Sequence, residues 1–219
     1  MHFTVKNLIK VQELINSNLV NPIPDKLPKI IAVLKTFGMD KITPLIEHGH
    51  KDFGENKVQE ALNKWSEIKL KNQNIKLHLI GGLQTNKVKF AIGLFDYIHS
   101  VDSEKLARKI SDEQKKQNKK VKIFLQVNIG NEIQKFGVDK SYLADLYSLC
   151  KSLELDVVGL MCIPPEGEPS TKYFKEMNDL NKNLNLDYLS MGMSSDYLEA
   201  AKNNATHLRI GSNIFGSRI

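Results

Sequence analysis

Strand-like and helix-like segments alternate in this chain from residue 29 to its end. Several strand-like segments are continuous apolar runs, among them Ile30 to Leu34 and Val157 to Leu160, as expected for parallel strands that are covered on both faces. The predicted strands are residues 29–35, 51–55, 76–81, 97–101, 121–128, 156–162, 187–191 and 206–210. Eight strands in strict alternation with helices predict an α/β fold, a single (β/α)8 barrel of the TIM type.

An open, doubly wound sheet is the alternative fold. That fold normally has a glycine-rich phosphate-binding turn after its first strand, whereas residues 35–39 contain only Gly38. We expect one domain over residues 1–219, with the barrel from about residue 29 and an additional N-terminal helix over residues 4–16 or so. Because few residues follow the eighth strand, this helix is expected to cover that side of the barrel.

The segments between the strands have the periodicity of amphipathic helices. Residues 56–65 place four apolar side chains on one helical face, namely Val58, Ala61, Leu62 and Trp65. Ser103 is a predicted N-cap for a helix over residues 104–116, and Ser195 precedes a short predicted helix that runs to residue 201.

The charge pattern argues against a nucleic-acid partner. The chain has a formal net charge of +6, but its lysines are spread over almost every segment instead of forming one basic face. We find no apolar run long enough to cross a membrane, and the N-terminus lacks the apolar core of a signal peptide. Cys150 and Cys162 have neither metal-site nor disulfide spacing, so we expect a cytoplasmic protein.

The chemistry is predicted to lie where the strands end, because the reaction site of such barrels is at the C-terminal ends of the strands. Lys35 ends the first predicted strand, and Arg209 lies near the end of the last one, just before the turn Gly211-Ser212. An amine, a fixed cation and a small anion-binding turn are the groups that bind pyridoxal 5'-phosphate. The sequence therefore predicts a site for this cofactor.

Each of these residues has a predicted role. Lys35 would form a Schiff base with the cofactor aldehyde, and burial among apolar neighbours would lower its pKa. The backbone N–H groups of Gly211 and Ser212, with the hydroxyls of Ser212 and Ser194, would bind the phosphate. Arg209 would donate to the ring nitrogen and keep it unprotonated, which makes the cofactor a poor electron sink.

Seven segments, in order, resemble the YggS/PROSC family of pyridoxal phosphate homeostasis proteins, which are similar to the barrel domain of bacterial alanine racemase. The segments are residues 31–36, 52–60, 78–87, 98–102, 159–165, 189–194 and 209–216. The resemblance implies a cytoplasmic, largely non-catalytic protein that carries the cofactor on Lys35. It also implies cofactor contacts at Asn56, Ser194, Arg209, Gly211 and Ser212. We expect a monomer whose partners are the cofactor and the apo-enzymes that receive it.

Two positions depart from the family pattern. Leu34 stands where the family usually has a small hydroxyl residue; strand alternation turns it away from the face that Lys35 uses, so we expect it to pack against a helix. Gly82 stands where the family usually has histidine, at the end of the third strand. Whether Lys135 handles the cofactor as a second amine is left open.

Two enzymatic functions compete with this hypothesis. A pyridoxal-phosphate-dependent amino-acid racemase would need a base on each face of the cofactor, and the similar racemases supply the second base from another domain. A metal-dependent hydrolase would use His78, His99 and His207, but these lack carboxylates at ligand spacing and are predicted to lie in the core.

Overall fold

The computed structural model describes residues 1–19, 27–34, 37–132 and 136–216. Its strands are β1 (Lys29–Val33), β2 (Asp52–Glu55), β3 (Lys76–Leu79), β4 (Tyr97–Val101), β5 (Lys122–Gln126), β6 (Asp156–Met161), β7 (Tyr188–Ser190) and β8 (His207–Ile210). Each strand pairs in parallel with the next, and β8 pairs with β1 from Lys29↔His207 to Ala32↔Ile210, which closes the barrel. The predicted fold is confirmed, and the strands are mostly one to three residues shorter than expected.

Helices surround the barrel on the outside. They are α1 (Phe3–Asn18), α2 (Met39–Glu47), α3 (Val58–Lys71), α4 (Val88–Leu94), α5 (Glu104–Gln117), α6 (Leu143–Ser152), α7 (Thr171–Asn183), α8 (Tyr197–Lys202) and α9 (Ser212–Phe215). On the predicted face of α3, Val58, Ala61 and Trp65 are buried and Leu62 is partly buried against the core.

Of the two serines predicted to begin helices, one is an N-cap and the other is not. Ser103 is the N-cap of α5, but its side chain makes no capping hydrogen bond. Ser195 does not cap α8: the N-cap is Asp196, and its Oδ1 accepts a hydrogen bond from the Met193 N–H at 2.7 Å. The carboxylate thus closes the turn before the helix, which delays the helix start to Tyr197.

Helix α1 covers the barrel beside α2, α8 and α9, as predicted. Its inner face buries Val5, Leu8, Val11 and Ile15. The Asn7 side chain donates from Nδ2 to the Ile214 carbonyl oxygen at 3.0 Å, so α1 is bonded directly to the last helix that the structure describes.

The core has two layers. Between strands and helices lies the larger layer, which contains Trp65, Phe53 and Leu34, each with a fully buried side chain. The burial of Leu34 confirms that this departure from the family pattern is absorbed by packing. A smaller cluster of Tyr97, Phe124 and Met161 lies apart from the first layer. Against these rings pack the buried histidines of β3, β4 and β8, with His78 stacked on Tyr97 at 4.4 Å and His99 on Phe124 at 4.2 Å between centroids.

Candidate functional site

A cavity of about 800 Å³ opens at the C-terminal ends of the strands. Five of the six predicted cofactor residues line it: Asn56, Ser194, Arg209, Gly211 and Ser212. These residues follow or end three different strands, so the closed barrel is what brings them together. The sixth residue, Lys35, lies outside the described residues. So does Lys135, whose role as a second amine was left open.

The cavity is electropositive. Among the lining residues that the structure describes, Lys57 and Arg209 are the charged ones, and both are cations. Arg209 is only 4% exposed, so its charge is poorly screened by water and acts mainly on what enters the cavity. A cavity of this kind favours an anionic ligand.

Two hydrogen bonds fix the guanidinium of Arg209. Its Nη1 donates to Ser190 Oγ at 2.7 Å, and its Nη2 donates to the carbonyl oxygen of Cys162 at 2.8 Å. Arg209 was predicted from the sequence but its two partners were not, because they are brought to it by the neighbouring ends of β6 and β7.

The predicted phosphate-binding groups lie beside one another. The Gly211 N–H donates to Ser194 Oγ at 3.2 Å, which joins the connection after β7 to the one after β8. A Cβ atom at Gly211 would lie 3.3 Å from the Val33 carbonyl oxygen, so little room separates this turn from the end of β1. An incoming anion could accept from both groups that now bond to each other.

The opposite wall is formed by the ends of β2 and β3. A Cβ atom at Gly81 would lie 2.2 Å from the Asn56 carbonyl oxygen, so the absence of a side chain there lets the two connections touch. At Gly82 a Cβ atom would lie 3.6 Å from the ring of Phe136. Where the resembling family usually has histidine, the wall beside Gly82 is therefore an aromatic ring from the segment after β5.

Sequence reasoning missed most of the apolar lining. Phe37, Ile80, Phe136, Ile163 and Met193 also line the cavity. Position within three residues after a strand was the available signal for Ile80, Ile163 and Met193, but it does not separate an apolar wall residue from a core residue. Met191, by contrast, is buried in the main core, where methionine commonly fills gaps between other side chains.

A line of polar side chains continues from Arg209 into the barrel. Ser190 Oγ lies 2.8 Å from His99 Nδ1, His99 Nε2 lies 3.0 Å from His78 Nδ1, and His78 Nε2 lies 3.0 Å from Asp52 Oδ1. Burial lowers the pKa of His78, and it lowers the pKa of His99 far below its ordinary value. Both imidazoles are therefore neutral near pH 7.

His207 lies against the same rings but outside this line. Its Nδ1 bonds to Thr206 Oγ1 at 2.8 Å, and its buried Nε2 has no hydrogen-bond partner in the described part of the chain. Burial lowers its pKa to about 3. Within the described ranges no group of three or more His, Cys, Asp or Glu residues is arranged to hold a metal ion. In the same ranges no helix is both long and apolar enough to cross a membrane.

A (β/α)8 barrel whose connections after β7 and β8 meet at a cationic cavity, next to a short extra helix, has the arrangement of barrels that bind phosphorylated ligands. The chain belongs to the family described as alanine racemase, N-terminal domain, whose model matches residues 17–219. The predicted resemblance is thereby confirmed.

Named relatives are similar over most of their length. The pyridoxal phosphate homeostasis protein of Aquifex aeolicus is 38% identical over 200 residues, which are 87% of this chain and 87% of that one. The protein of the same name from Buchnera aphidicola is 37% identical over 214 residues, covering 91% and 90%. These relatives are named for homeostasis of a cofactor and not for a reaction.

Solved structures confirm the architecture. PipY of Synechococcus elongatus, solved with PLP bound, is 31% identical with a TM-score of 0.85 over 97% of this chain and all of that one. Alanine racemase of Clostridium difficile has a TM-score of 0.74 at 16% identity, and the likeness covers 99% of this chain but 57% of the racemase. The second likeness concerns the fold alone.

Proposed function

We propose that this protein binds pyridoxal 5'-phosphate at the barrel mouth and takes part in the homeostasis of that cofactor. The observation that carries the proposal is the meeting of Arg209, Gly211 and Ser194 in a cavity whose described charged residues are all cationic. The names of the curated relatives and the PLP-bound structure of PipY support it.

The residues present fit the chemistry of this cofactor. The Gly211 and Ser212 backbone and the Ser194 hydroxyl would hold the phosphate, Asn56 would contact the ligand from the opposite wall, and Arg209 would face the ring nitrogen. Lys35 is our choice for covalent attachment: Val33, two residues earlier in the sequence, lines the cavity, and side chains two residues apart along a strand share a face. When bound, the cofactor supplies an aldehyde for that bond and a ring that can accept electrons.

We propose further that the protein is not an efficient enzyme. The guanidinium of Arg209 keeps its protons at all ordinary pH values, so it donates to a ring nitrogen without protonating it. Racemisation also needs a second base, and the described lining of the cavity contains no histidine, tyrosine or carboxylate. A cytoplasmic monomer that passes its cofactor to apo-enzymes is consistent with such a site.

The attachment site is tested by the visible absorbance of the protein with cofactor added. Lys35→Ala should abolish the absorbance of the lysine-bound cofactor while leaving the far-UV circular dichroism unchanged. Lys57→Ala is the matched control, since Lys57 lines the same cavity, and it should keep the absorbance. The reverse pattern would move the attachment to Lys57, and an unchanged spectrum in both variants would place it elsewhere.

The phosphate site is tested by Gly211→Val. A branched side chain would occupy the space that the phosphate needs, so the dissociation constant should rise by more than about tenfold. Gly93→Val on α4 is the control, because Gly93 does not line the cavity and a Cβ atom there would meet only Gln117 Oε1, at 3.6 Å. Unchanged affinity in the Gly211 variant would contradict the proposed location.

The non-enzymatic part of the proposal is tested with L-alanine. After incubation of the cofactor-loaded protein, D-alanine should form far more slowly than about 1 s⁻¹, the low end of ordinary enzyme rates. Chiral chromatography measures the product, and turnover at or above that rate would favour the racemase alternative.

A further inference from the structure

The hydrogen-bonded line inside the barrel runs from the cavity to the opposite end of the barrel. Arg209 lies in the last half of β8, at the mouth, whereas Asp52 is the first residue of β2, at the other end. Three side chains bridge them in order, Ser190, His99 and His78, with successive distances of 2.7, 2.8, 3.0 and 3.0 Å. The bridging residues come from β7, β4 and β3.

The two ends of this line fix the direction of every bond. Arg209 can only donate, so Ser190 accepts with its oxygen and has its own O–H left to donate to His99 Nδ1. At the far end the Asp52 carboxylate can only accept, so His78 carries its proton on Nε2. His78 Nδ1 must then accept, which places the proton of His99 on Nε2 as well.

The electrostatics agree with this order. Burial is the largest single effect on Asp52 and acts to raise its pKa, but the hydrogen bond from His78 and the nearby basic groups, Lys29 among them, together outweigh it, so the pKa is lowered and the carboxylate is ionised. A buried cation and a carboxylate therefore stand at opposite ends of two neutral imidazoles. A charged imidazole at His99 would have to donate at both nitrogens, and Ser190 would lose its acceptor.

The rings themselves are held in place. His78 is nearly parallel to Tyr97, with an interplanar angle of 7°, and His99 is within 20° of parallel to Phe124. His78, His99 and Ser190 are each completely buried. The line therefore has little freedom to rearrange without repacking the inside of the barrel.

We propose that Ser190, His99 and His78 are positioning residues, which hold the Arg209 guanidinium in one orientation toward the cofactor ring through a one-way chain of hydrogen bonds that ends on Asp52. The orientation toward the ring rests on the proposed function, whereas the order of donors and acceptors does not. The two parts can therefore fail separately.

The order of hydrogen-bond donors and acceptors is tested on the protein without cofactor. Two-bond ¹H–¹⁵N correlation spectra of ¹⁵N-histidine protein at pH 7 distinguish the two neutral tautomers and the charged ring. Both His78 and His99 should appear as the neutral form protonated on Nε2, with assignments from His78→Gln and His99→Gln. An Nδ1-protonated or charged ring at either position would overturn the proposal.

The positioning role is tested with Ser190→Ala. This change leaves Arg209 Nη1 without its acceptor and His99 Nδ1 without its donor, whereas His99 should keep its proton on Nε2 because His78 Nδ1 still accepts it. The dissociation constant of the cofactor should rise about tenfold or more, since hydrogen bonds to charged groups are among the stronger ones, and the visible band of the bound cofactor should shift. Ser100→Ala is the matched control, because Ser100 is equally buried but its Oγ has no partner in the described structure.

The outcomes separate the two proposals. If the wild-type protein does not bind the cofactor while the tautomers are as expected, the proposed function is wrong, but the proposed order of hydrogen bonds is supported. If the wild-type protein binds the cofactor and Ser190→Ala changes neither affinity nor band position, the positioning role is wrong. Should Ser190→Ala fail to fold, His99→Leu, which can neither accept from Ser190 nor donate to His78, provides the same two measurements with the same expected changes.

Discussion

Glu55 is a carboxylate at the end of β2 whose side chain is completely buried. Its Oε1 accepts from Lys64 Nζ at 2.8 Å and from Trp65 Nε1 at 2.9 Å, both on α3. Burial nevertheless raises the pKa of Glu55 above its ordinary value. A raised pKa in the folded state means that stability falls as the pH rises through that pKa.

We therefore expect Lys64→Met to destabilise the protein in a pH-dependent way. Without the ammonium group the buried carboxylate is left uncompensated, which costs about 3 kcal/mol of unfolding free energy at pH 8. The loss should be smaller at pH 5, where Glu55 can take up a proton. Urea unfolding at the two pH values measures it.

The control is the exposed pair of Lys172 and Glu168, whose side chains are 62% and 46% accessible. Lys172→Met should cost less than about 1 kcal/mol. Equal losses at pH 5 and pH 8 for the Lys64 variant would show that packing, and not charge, is what Lys64 contributes.

At the residue scale the sequence predicts positions better than partners. Arg209, Gly211 and Ser194 could be chosen because each ends or follows a predicted strand, and that is a local property. The groups that fix Arg209 are 19 and 47 residues away along the chain. Which side chain of β7 meets which side chain of β8 depends on the register of the closed sheet, and one sequence does not contain that information.

The connection between β7 and β8 is the element in which backbone conformation matters most for the site. Gly192 has φ +87°, and a Cβ atom there would lie 2.5 Å from Ala200 Cβ on α8. The Gly192 carbonyl oxygen accepts from the Arg209 N–H at 3.0 Å. Gly192 thus connects the segment that leads to Ser194 with β8, the strand that carries the buried Arg209.

Gly192→Ala should be strongly destabilising, both because of its left-handed backbone and because its Cβ atom would clash with α8. Gly167→Ala should separate these two effects. Gly167 has φ +82° with nothing near its missing Cβ, so its variant should lose about 1 kcal/mol for the left-handed conformation alone. The Gly192 variant should lose about 2 kcal/mol more from overpacking. Thermal unfolding compares them; equal losses would mean that α8 moves away without cost.

Helix starts are the elements that sequence patterns located least well. Ser195 has the residue type of an N-cap, but Asp196 next to it bonds to the Met193 N–H and takes the cap position. Two neighbouring residues with similar capping preferences compete, and the geometry of the incoming strand decides between them. The strands themselves were found because apolar runs of the right length are a strong signal.

At the scale of the whole molecule, α1 connects the beginning of the chain to the site at its other end. Leu8 on α1 is 1% exposed, and its neighbour Asn7 bonds to the carbonyl of Ile214. That carbonyl belongs to α9, whose first residue is Ser212. Packing of the N-terminal helix therefore supports the turn that is proposed to hold the phosphate.

Leu8→Ala should lower the unfolding free energy by about 3 kcal/mol and also weaken cofactor binding. Leu14→Ala on the same helix is the control, since Leu14 is 36% exposed and should change the free energy by less than about 1 kcal/mol. Chemical unfolding and cofactor titration are measured on both variants. Full affinity in the Leu8 variant would show that α9 keeps its place without α1.

The two buried cysteines allow local opening of the unmodified protein to be measured by thiol labelling. Burial raises the pKa of Cys150 and of Cys162 to about 12, so neither thiol is a nucleophile in the closed molecule. An alkylating reagent can label each one only when its surroundings open. Cys162 is bonded to Arg209 through its carbonyl oxygen, whereas Cys150 lies on the outer helix α6. The ratio of the two labelling rates therefore distinguishes local opening of the site from local opening of the helical layer.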